Sequence, residues 1–369
     1  MAVIESLETL GLRPSHDFDD AWKVWPRGDR LDALRAAALE FRARFRAGPQ
    51  VTGVRTFELA AVPYPTKFAF GMAARALNPY ITLRNRMILV QYDDFEGRRR
   101  TLVWEPTIPE GGAEAPFYAQ MREFAGGVAE KFFVSYETTI DEALGSVGLT
   151  HDDVDLASFD HLHVQDARRV LGTTEPVNGH AEPFAPQFPK GKLISQRLEA
   201  DTLRSIHPMQ WAWYVQGGLD SVIEDNHLLI DGDVELGGGV AIVRTPGHTD
   251  GNQSLVINTP EGIWVSSENG VCADNWQPEN SKIPGVRRFA EFFGREVILN
   301  SNTLEDSIDQ YDSMVLEKTL ADTNRRDPRW LNVFPSSEAA THKRQWPAVP
   351  TFTHEQLSYG EIVRADAGR

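Results

Sequence analysis

The sequence contains a single cysteine, Cys272, among its 369 residues, which excludes an internal disulfide. A chain without disulfides is typical of a reducing compartment. The first residues, MAVIESLETLG, contain neither the basic segment nor the apolar segment of a secretory signal. No stretch approaches the roughly 18 consecutive apolar residues of a membrane-spanning helix. We therefore predict a cytoplasmic protein with no membrane partner, in which Cys272 is a buried structural thiol.

Positive charge is also scarce, since 37 Lys and Arg residues stand against 53 Asp and Glu residues and give a net charge of -16. A field of this sign repels polyanions, so we expect no nucleic-acid partner. The run of three arginines at 98–100 follows Gly97, and we interpret it as a solvated hairpin turn. Hydrophobic residues make up 41% and charged residues 24%, which excludes a disordered or collagen-like chain.

Periodic patterns indicate an α/β protein. Apolar residues at helical spacing predict a helix over 30–47, which Gly48 and Pro49 end. The segments that predict strands are 51–59, 86–92, 101–104, a short one within 156–166, 234–245, 254–259, 262–267 and 331–334. The segments that predict further helices are 117–132, 138–155, in which the helix closes near Gly148, and 304–321. Alternating blocks of strands and helices favour two sheets with helices outside them.

The chain divides into three predicted parts. Residues 1–50 are an N-terminal helical extension, residues 51–345 form the main α/β domain, and residues 346–369 are a C-terminal tail. Within the domain, residues 172–232 are irregular and contain four prolines between 176 and 189. We predict that they form an insertion.

Two histidines lie at the end of a short predicted strand. His161 and His163 are two residues apart on an extended segment, so their side chains project to the same side. Two converging imidazoles suit a first-row metal ion, although such a pair alone is weak evidence.

Two later segments also present a metal-binding type of side chain at a strand end. In TPGHTDGNQSL (245–255), a tight turn directly after a strand presents His248. In GIWVSSENG (262–270), a strand runs directly into Glu268. A carboxylate at the end of a buried strand serves as a metal ligand, as an ion-pair partner or as an exposed turn residue.

Taken together and in this order, the three segments resemble the metallo-β-lactamase superfamily of hydrolases. The resemblance covers roughly residues 50–340, and TPGHT followed by Gly and Ser-Leu is its most specific part. It implies a four-layer αββα sandwich with a metal site at one edge of the two sheets. It also implies that residues 172–232 overhang that site.

The metal ligands that the resemblance implies are only partly present. His161, His163 and His248 match the three ligands of the family's first metal position. Gln165 and Asp166 stand where the family has Asp and His, and Glu268 stands where a bridging Asp is usual. No histidine follows the final strand, where Ser336 and Ser337 stand; His342 lies a few residues beyond. We therefore expect one firmly held metal ion, with a second site doubtful.

The implied activity is metal-dependent hydrolysis of a small ester, lactone, thioester or amide. A zinc ion on three histidines would lower the pKa of a bound water to about 7, and the resulting hydroxide would attack the substrate. Asp166 and Glu268 are the candidate catalytic carboxylates, and both are also candidate ligands.

Two alternatives remain open from the sequence. His161, His248 and Glu268 form a two-histidine, one-carboxylate set that suits an iron oxygenase or dioxygenase. The lost ligands also fit a catalytically degenerate binding protein. Both readings retain a small-molecule partner, and the sequence leaves monomer and homo-oligomer open. For the substrate pocket, the predicted lining residues are Gln165, Trp211, Trp213 and Tyr214.

Overall fold

Alternating apolar side chains give one long strand two buried faces. Met87 and Leu89 join the hydrophobic core on one side of the strand, and Ile88, Val90 and Tyr92 join the core on the other side. All five side chains are fully buried. A sheet of this kind needs a cover on each face, and here helices cover one face and a second sheet covers the other.

The computed structural model describes residues 7, 9–123, 135–304, 306–341 and 345–364. The strands are β1 (Arg13–Ser15), β2 (Gly53–Pro65), β3 (Tyr80–Asp93), β4 (Arg99–Trp104), β5 (Ser135–Tyr136), β6 (Leu156–Ser158), β7 (Lys192–Gln196), β8 (His227–Ile230), β9 (Asp233–Gly237), β10 (Val240–Arg244), β11 (Gln253–Thr259), β12 (Gly262–Ser267), β13 (Val333–Pro335), β14 (Ser337–Ala339) and β15 (Ser358–Gly360). The α-helices are α1 (Asp19–Trp22), α2 (Arg27–Ala47), α3 (Thr66–Ala69), α4 (Pro109–Gly112), α5 (Ile140–Ser146), α6 (Ala167–Leu171), α7 (Arg197–Arg204), α8 (Ala273–Trp276), α9 (Val286–Phe293) and α10 (Ser307–Leu320).

The strands form two sheets. The first has six strands in the order β1-β9-β10-β11-β12-β13, and only its β12–β13 pair is parallel. The second has nine strands, with the order β15-β2-β3-β4-β6-β7-β8 and with β14 and β5 added beside β3 and β2. From β4 to β8 the neighbours run parallel, so their carboxyl ends lie at one edge of the sheet.

Helices cover the outer face of each sheet. Helices α2 and α10 pack on the first sheet, where Leu34 and Phe41 meet Val243, Val256 and Met314 in one core. Helices α5, α6 and α7 pack on the second sheet in a separate core. The two inner faces enclose a third core. The molecule is therefore the four-layer αββα sandwich that the sequence predicted.

Most predicted elements are present, with shifted boundaries. The predicted helix 30–47 is α2, which begins at Arg27. The predicted strand 234–245 is in fact the hairpin of β9 and β10, because Gly239 turns the chain with a φ of 76°. The helix predicted within 138–155 is α5, which ends at Ser146, close to Gly148 as predicted, and Gly148 has a φ of 75°.

The structure describes only part of the predicted helix 117–132, whereas it describes all of the predicted insertion 172–232. Of the predicted helix 117–132, residues 116–123 are helical and residues 124–134 lie outside the described part. Residues 172–232 contain β7, α7 and β8, so much of this segment belongs to the second sheet and its helical cover.

The arginine run at 98–100 lies at the β3–β4 hairpin, as predicted. Arg98 and Arg100 both contact Asp94, and Arg100 also pairs with Asp155 at 2.8 Å. In the described part of the chain, no helix combines the length and the apolar character needed to cross a membrane.

A buried ion-pair network ties the C-terminal segment to the second sheet. Arg86 in β3 donates to the Glu338 carboxylate at 2.7 Å, and both side chains are at most 5% exposed. His354 donates its backbone N–H to the other Glu338 oxygen at 3.1 Å. Burial alone would raise the pKa of Glu338, but Arg86 and His354 outweigh it and hold this pKa at about 2.

This network predicts a loss of stability in acid. Because the folded-state pKa of Glu338 is below its unfolded value, its contribution is present above about pH 4.5 and is lost as the pH falls toward 2. Glu338→Gln should lower the free energy of unfolding by on the order of 3 kcal/mol at pH 7 and by much less at pH 2.5, as measured by urea unfolding. Glu96→Gln, at an exposed ion pair, is the control and should change stability by less than about 1 kcal/mol. An equal deficit at both pH values would contradict this interpretation.

Candidate metal centre

The first two histidines lie just beyond the carboxyl end of β6. After Ser158 the chain leaves the sheet, and the buried side chains of Phe159 and Leu162 anchor it in the outer core. His161 and His163 flank Leu162 on either side, and both line a cavity outside that core. Their ring centroids are 4.6 Å apart.

The third histidine lies in the turn between β10 and β11, and two glycines allow this turn to pack closely. Gly247 has a φ of 126°, and a Cβ there would lie 2.0 Å from the backbone nitrogen of Gln310 in α10. A Cβ on Gly251 would lie 2.3 Å from the backbone nitrogen of Glu199. The glycines of the TPGHTDG segment therefore let His248 approach the other two histidines.

The three imidazoles converge. One ligand nitrogen from each of His161, His163 and His248 lies within 4.8 Å of the others. Ring centroids of His248 are 4.6 Å from those of His161 and 5.1 Å from those of His163. The three residues are 8%, 5% and 1% exposed.

Hydrogen bonds leave one nitrogen of each ring available. His161 bonds Asp160 through Nδ1 at 2.5 Å, and His163 bonds the Gln210 side-chain oxygen through Nε2 at 2.6 Å. The Nδ1 atoms of His163 and His248 are buried and have no hydrogen-bond partner. Two buried ring nitrogens without partners are costly unless a metal ion binds them, so the donor set fits a metal ion.

Burial favours the neutral form of two of the three rings, those of His163 and His248. Burial, together with the neighbouring His161, lowers the pKa of His163 well below its ordinary value. The same two causes lower the pKa of His248 to about 3. Because metal ions bind the unprotonated imidazole, little proton competition is expected at neutral pH.

Glu199 in α7 holds both histidine segments in place. Its carboxylate accepts hydrogen bonds from the Leu162 backbone N–H at 2.7 Å, from the Thr249 hydroxyl at 2.6 Å and from the Tyr214 hydroxyl at 2.8 Å. Leu162 separates the first two histidines, and Thr249 follows His248. One buried carboxylate therefore fixes the distance between the two halves of the site.

Three carboxylates line the same cavity as the histidines, namely Glu105, Asp160 and Glu268. Glu268 accepts the Ser337 backbone N–H at 2.8 Å, and Glu105 accepts the Asp160 backbone N–H at 2.6 Å. Burial first and then Asp160 raise the pKa of both Glu268 and Glu105 well above the ordinary value. Of these three residues, only Glu268 was predicted from the sequence. For Asp160, its position directly before His161 was a usable signal; for Glu105, the sequence offers none.

Asp166 lies elsewhere, at the N-terminus of α6. Its carboxylate accepts two hydrogen bonds from the Arg168 guanidinium, at 2.7 and 3.0 Å, and also accepts the Arg168 backbone N–H. It does not line the cavity with the histidines. This pairing favours a structural role for Asp166 over the ligand and catalytic roles that the motif suggested.

The predicted pocket residues separate into two groups. Gln165 and Trp213 line the cavity. Trp211 does not, because its side chain points to the surface and is 45% exposed. Tyr214 is fully buried and does not line the cavity either. Its hydroxyl instead donates a hydrogen bond to Glu199, which holds the histidine segments in place. Residues 207–222 of the predicted insertion thus supply Trp213, Tyr214 and Gln210 to the site region.

The sequence predictions also covered Cys272 and His342. Cys272 is buried and its thiol bonds the Asn275 side chain, as expected for a structural thiol. His342 lies outside the described residues.

Comparison with known proteins gives similarity of fold without assigning an activity. No protein-family model matches the chain. Among solved structures, it is similar to AidC, a dizinc quorum-quenching lactonase, with a TM-score of 0.48 and 13% identity over 85% of this chain and 98% of that one. It is similar to an N-acyl homoserine lactone hydrolase, with a TM-score of 0.44 and 20% identity over 67% and 90% of the two chains. A probable metal-dependent hydrolase from Staphylococcus aureus gives a TM-score of 0.44 and 16% identity over 60% and 74%. These identities and TM-scores are too low to carry the metal or the substrate of those proteins over to this chain.

The close approach at Gly251 predicts a large effect of one methyl group. Gly251→Ala should lower the free energy of unfolding by roughly 3 kcal/mol or more, because the new Cβ meets backbone atoms that cannot rotate away. Gly145→Ala, in α5 with no atom within 4 Å of the new Cβ, should instead stabilise by about 0.5–1 kcal/mol. Denaturant unfolding of both variants checks the difference, and equal effects would contradict the packing argument.

The Gln210 contact predicts an effect on metal affinity. Gln210→Leu removes the acceptor that holds the proton of His163 on Nε2, so metal affinity should fall by about 10- to 100-fold. Gln216→Leu, an exposed glutamine in the same segment, should leave the affinity unchanged. Titration against a chromophoric chelator measures both, and an unchanged affinity in Gln210→Leu would show that this contact does not position His163.

Proposed function

We propose that the protein is a zinc-dependent hydrolase of a small ester, lactone, thioester or amide. The observation that supports this most directly is the cluster of three converging imidazoles at the floor of a cavity that also contains the buried Glu268 side chain. Three-histidine sites with an open position are typical of catalytic zinc.

A zinc ion held by His161, His163 and His248 would acidify water and polarise a substrate carbonyl. Asp160 keeps the His161 proton on Nδ1, which leaves Nε2 for the metal. Gln210 acts in the same way on His163, with the two nitrogens exchanged. Both contacts therefore position the ligands before any metal binds.

Glu268 is the proposed proton acceptor. Glu268 lines the same cavity as the three histidines, and the Ser337 backbone N–H fixes one of its oxygens at 2.8 Å. During hydrolysis, the water oxygen bonds to the carbonyl carbon and the bond to the leaving group breaks. The proton that Glu268 accepts then passes to the leaving group.

The residues also support one metal ion in place of two. Gln165 donates its side-chain N–H to the Thr107 hydroxyl at 2.9 Å, and Asp166 pairs with Arg168. Neither side chain is therefore available in the form that a second metal position needs. The iron alternative used Glu268 as its third ligand beside His161 and His248. The convergence of a third histidine, His163, on the other two supports zinc over iron.

Glu268→Gln tests the proposal. Turnover should fall by about two orders of magnitude, because the amide cannot accept the proton, whereas one zinc ion per chain should remain bound. Stability should be unchanged or higher, since Glu268 is buried without a cationic partner among the described side chains. Elemental analysis of protein purified without added metal and initial rates on a panel of esters, lactones, thioesters and amides provide the measurements.

Glu261→Gln is the matched control, because Glu261 lies in the exposed turn before β12, at the opposite end of the strand from Glu268, and pairs with Arg325. It should keep both activity and metal content. Iron in place of zinc, two tightly bound metal ions, or full turnover in Glu268→Gln would each contradict a part of the proposal.

A further inference from the structure

The walls of the cavity above the three histidines are mainly apolar. Strand β2 contributes a row of small and apolar side chains, and the helical residues 116–123 contribute a second wall opposite. The apolar and aromatic lining residues that matter here are Val62, Tyr64, Leu83, Tyr118, Met121 and Trp213.

The aromatic residues in these walls present rings and not hydroxyl groups. The Tyr64 hydroxyl donates to the Asn300 side chain at 2.6 Å, and the Tyr118 hydroxyl donates to the Pro63 carbonyl at 3.2 Å. Trp213 is fixed by stacking on Phe117, with ring centroids 4.6 Å apart. Because the hydroxyls already have partners, the walls offer apolar contact and few hydrogen bonds to a ligand.

The charges around the cavity have one dominant sign. Glu105, Asp160 and Glu268 lie at its floor and are at most 7% exposed. Among the described lining residues, Arg122 is the one cationic side chain, and it is an exposed residue at the rim that donates to the Ala113 carbonyl at 3.1 Å. Away from the proposed metal ion, an anionic group bound in the cavity would need a buried Arg or Lys beside it, and the described lining residues include none.

We propose that the substrate of this site is an electrically neutral ester or lactone with an apolar aliphatic or aromatic group, which packs between Tyr64, Tyr118, Met121 and Trp213. Acyl groups that end in a carboxylate are disfavoured, because the apolar walls would have to bury that carboxylate without a buried Arg or Lys among the described lining residues. This inference rests on the proposed hydrolase function and narrows its substrate class.

A series of p-nitrophenyl esters tests the inference in the zinc-loaded protein. From acetate through butanoate and hexanoate to octanoate, kcat/KM should rise by up to about fourfold for each methylene that enters the cavity, the equivalent of about 0.8 kcal/mol each. The mono-p-nitrophenyl ester of suberic acid has the same chain length as octanoate but ends in a carboxylate. Its kcat/KM should be at least about 100-fold below that of the octanoate ester. A flat series, or a suberate ester hydrolysed as well as the octanoate ester, would overturn the inference.

Met121→Lys provides a matched reversal of the charge preference. Met121 is half-buried in the cavity wall, so the new ammonium group should lower kcat/KM for the octanoate ester and raise it for the suberate ester by about tenfold each. Met121→Leu conserves volume and apolar character and should keep the wild-type preference. Zinc content and circular dichroism establish that both variants are folded, and an unchanged preference in a folded Met121→Lys protein would remove Met121 from the binding surface.

Failure of the function and failure of the inference give different results. If no ester is hydrolysed, binding of methyl octanoate and monomethyl suberate is measured by quenching of tryptophan fluorescence. Preferential binding of methyl octanoate would then support the apolar, neutral ligand and contradict the hydrolase. Equal or stronger binding of the suberate would contradict the inference itself.

Discussion

The Glu199 carboxylate connects parts of the chain that are far apart in sequence, and the metal centre depends on this connection. It accepts hydrogen bonds from Leu162, Tyr214 and Thr249, which belong to the first histidine segment, the predicted insertion and the second histidine segment. Charge-assisted hydrogen bonds of a buried carboxylate are among the stronger polar interactions in a protein. They are also directional, so they fix the relative placement of the histidines before any metal ion binds.

The same region combines two environments that normally exclude each other. Three imidazoles and three carboxyl groups form the floor of the cavity, whereas aromatic and aliphatic side chains form its walls. The walls remove water, and this lowers the pKa values of His163 and His248 and raises the pKa of Glu268. An apolar environment therefore favours the unprotonated form of His163 and His248, which is the form that binds metal ions.

The sequence predicted those features of the site that local patterns encode. His161, His163, His248 and Glu268 all follow strand ends, and the strand pattern itself predicted the layered fold. Asp160, Glu105 and Gln210 were missed because their contacts join residues up to 55 positions apart, which periodicity does not reveal. Asp166 illustrates the opposite error: the motif placed it beside the metal, but Arg168, only two residues later, binds its carboxylate. Nothing in the sequence distinguished Trp211 from Trp213 as a pocket residue. In the folded chain, the turn that contains Gln210 leaves Trp211 at the surface and places Trp213 in the cavity wall.

The edges of the two sheets have a consequence for how the molecule is made. Strand β15 pairs with β2, and His354 completes the network of Arg86 and Glu338, so a sheet begun by residues 53–65 is finished by residues beyond 350. During synthesis on the ribosome, β2 therefore emerges about 300 residues before the strand that covers its edge. An uncovered edge is a template for pairing with other chains. Translation speed and chaperone capture of the nascent chain should accordingly affect the yield of this protein more than the stability of the finished fold would suggest.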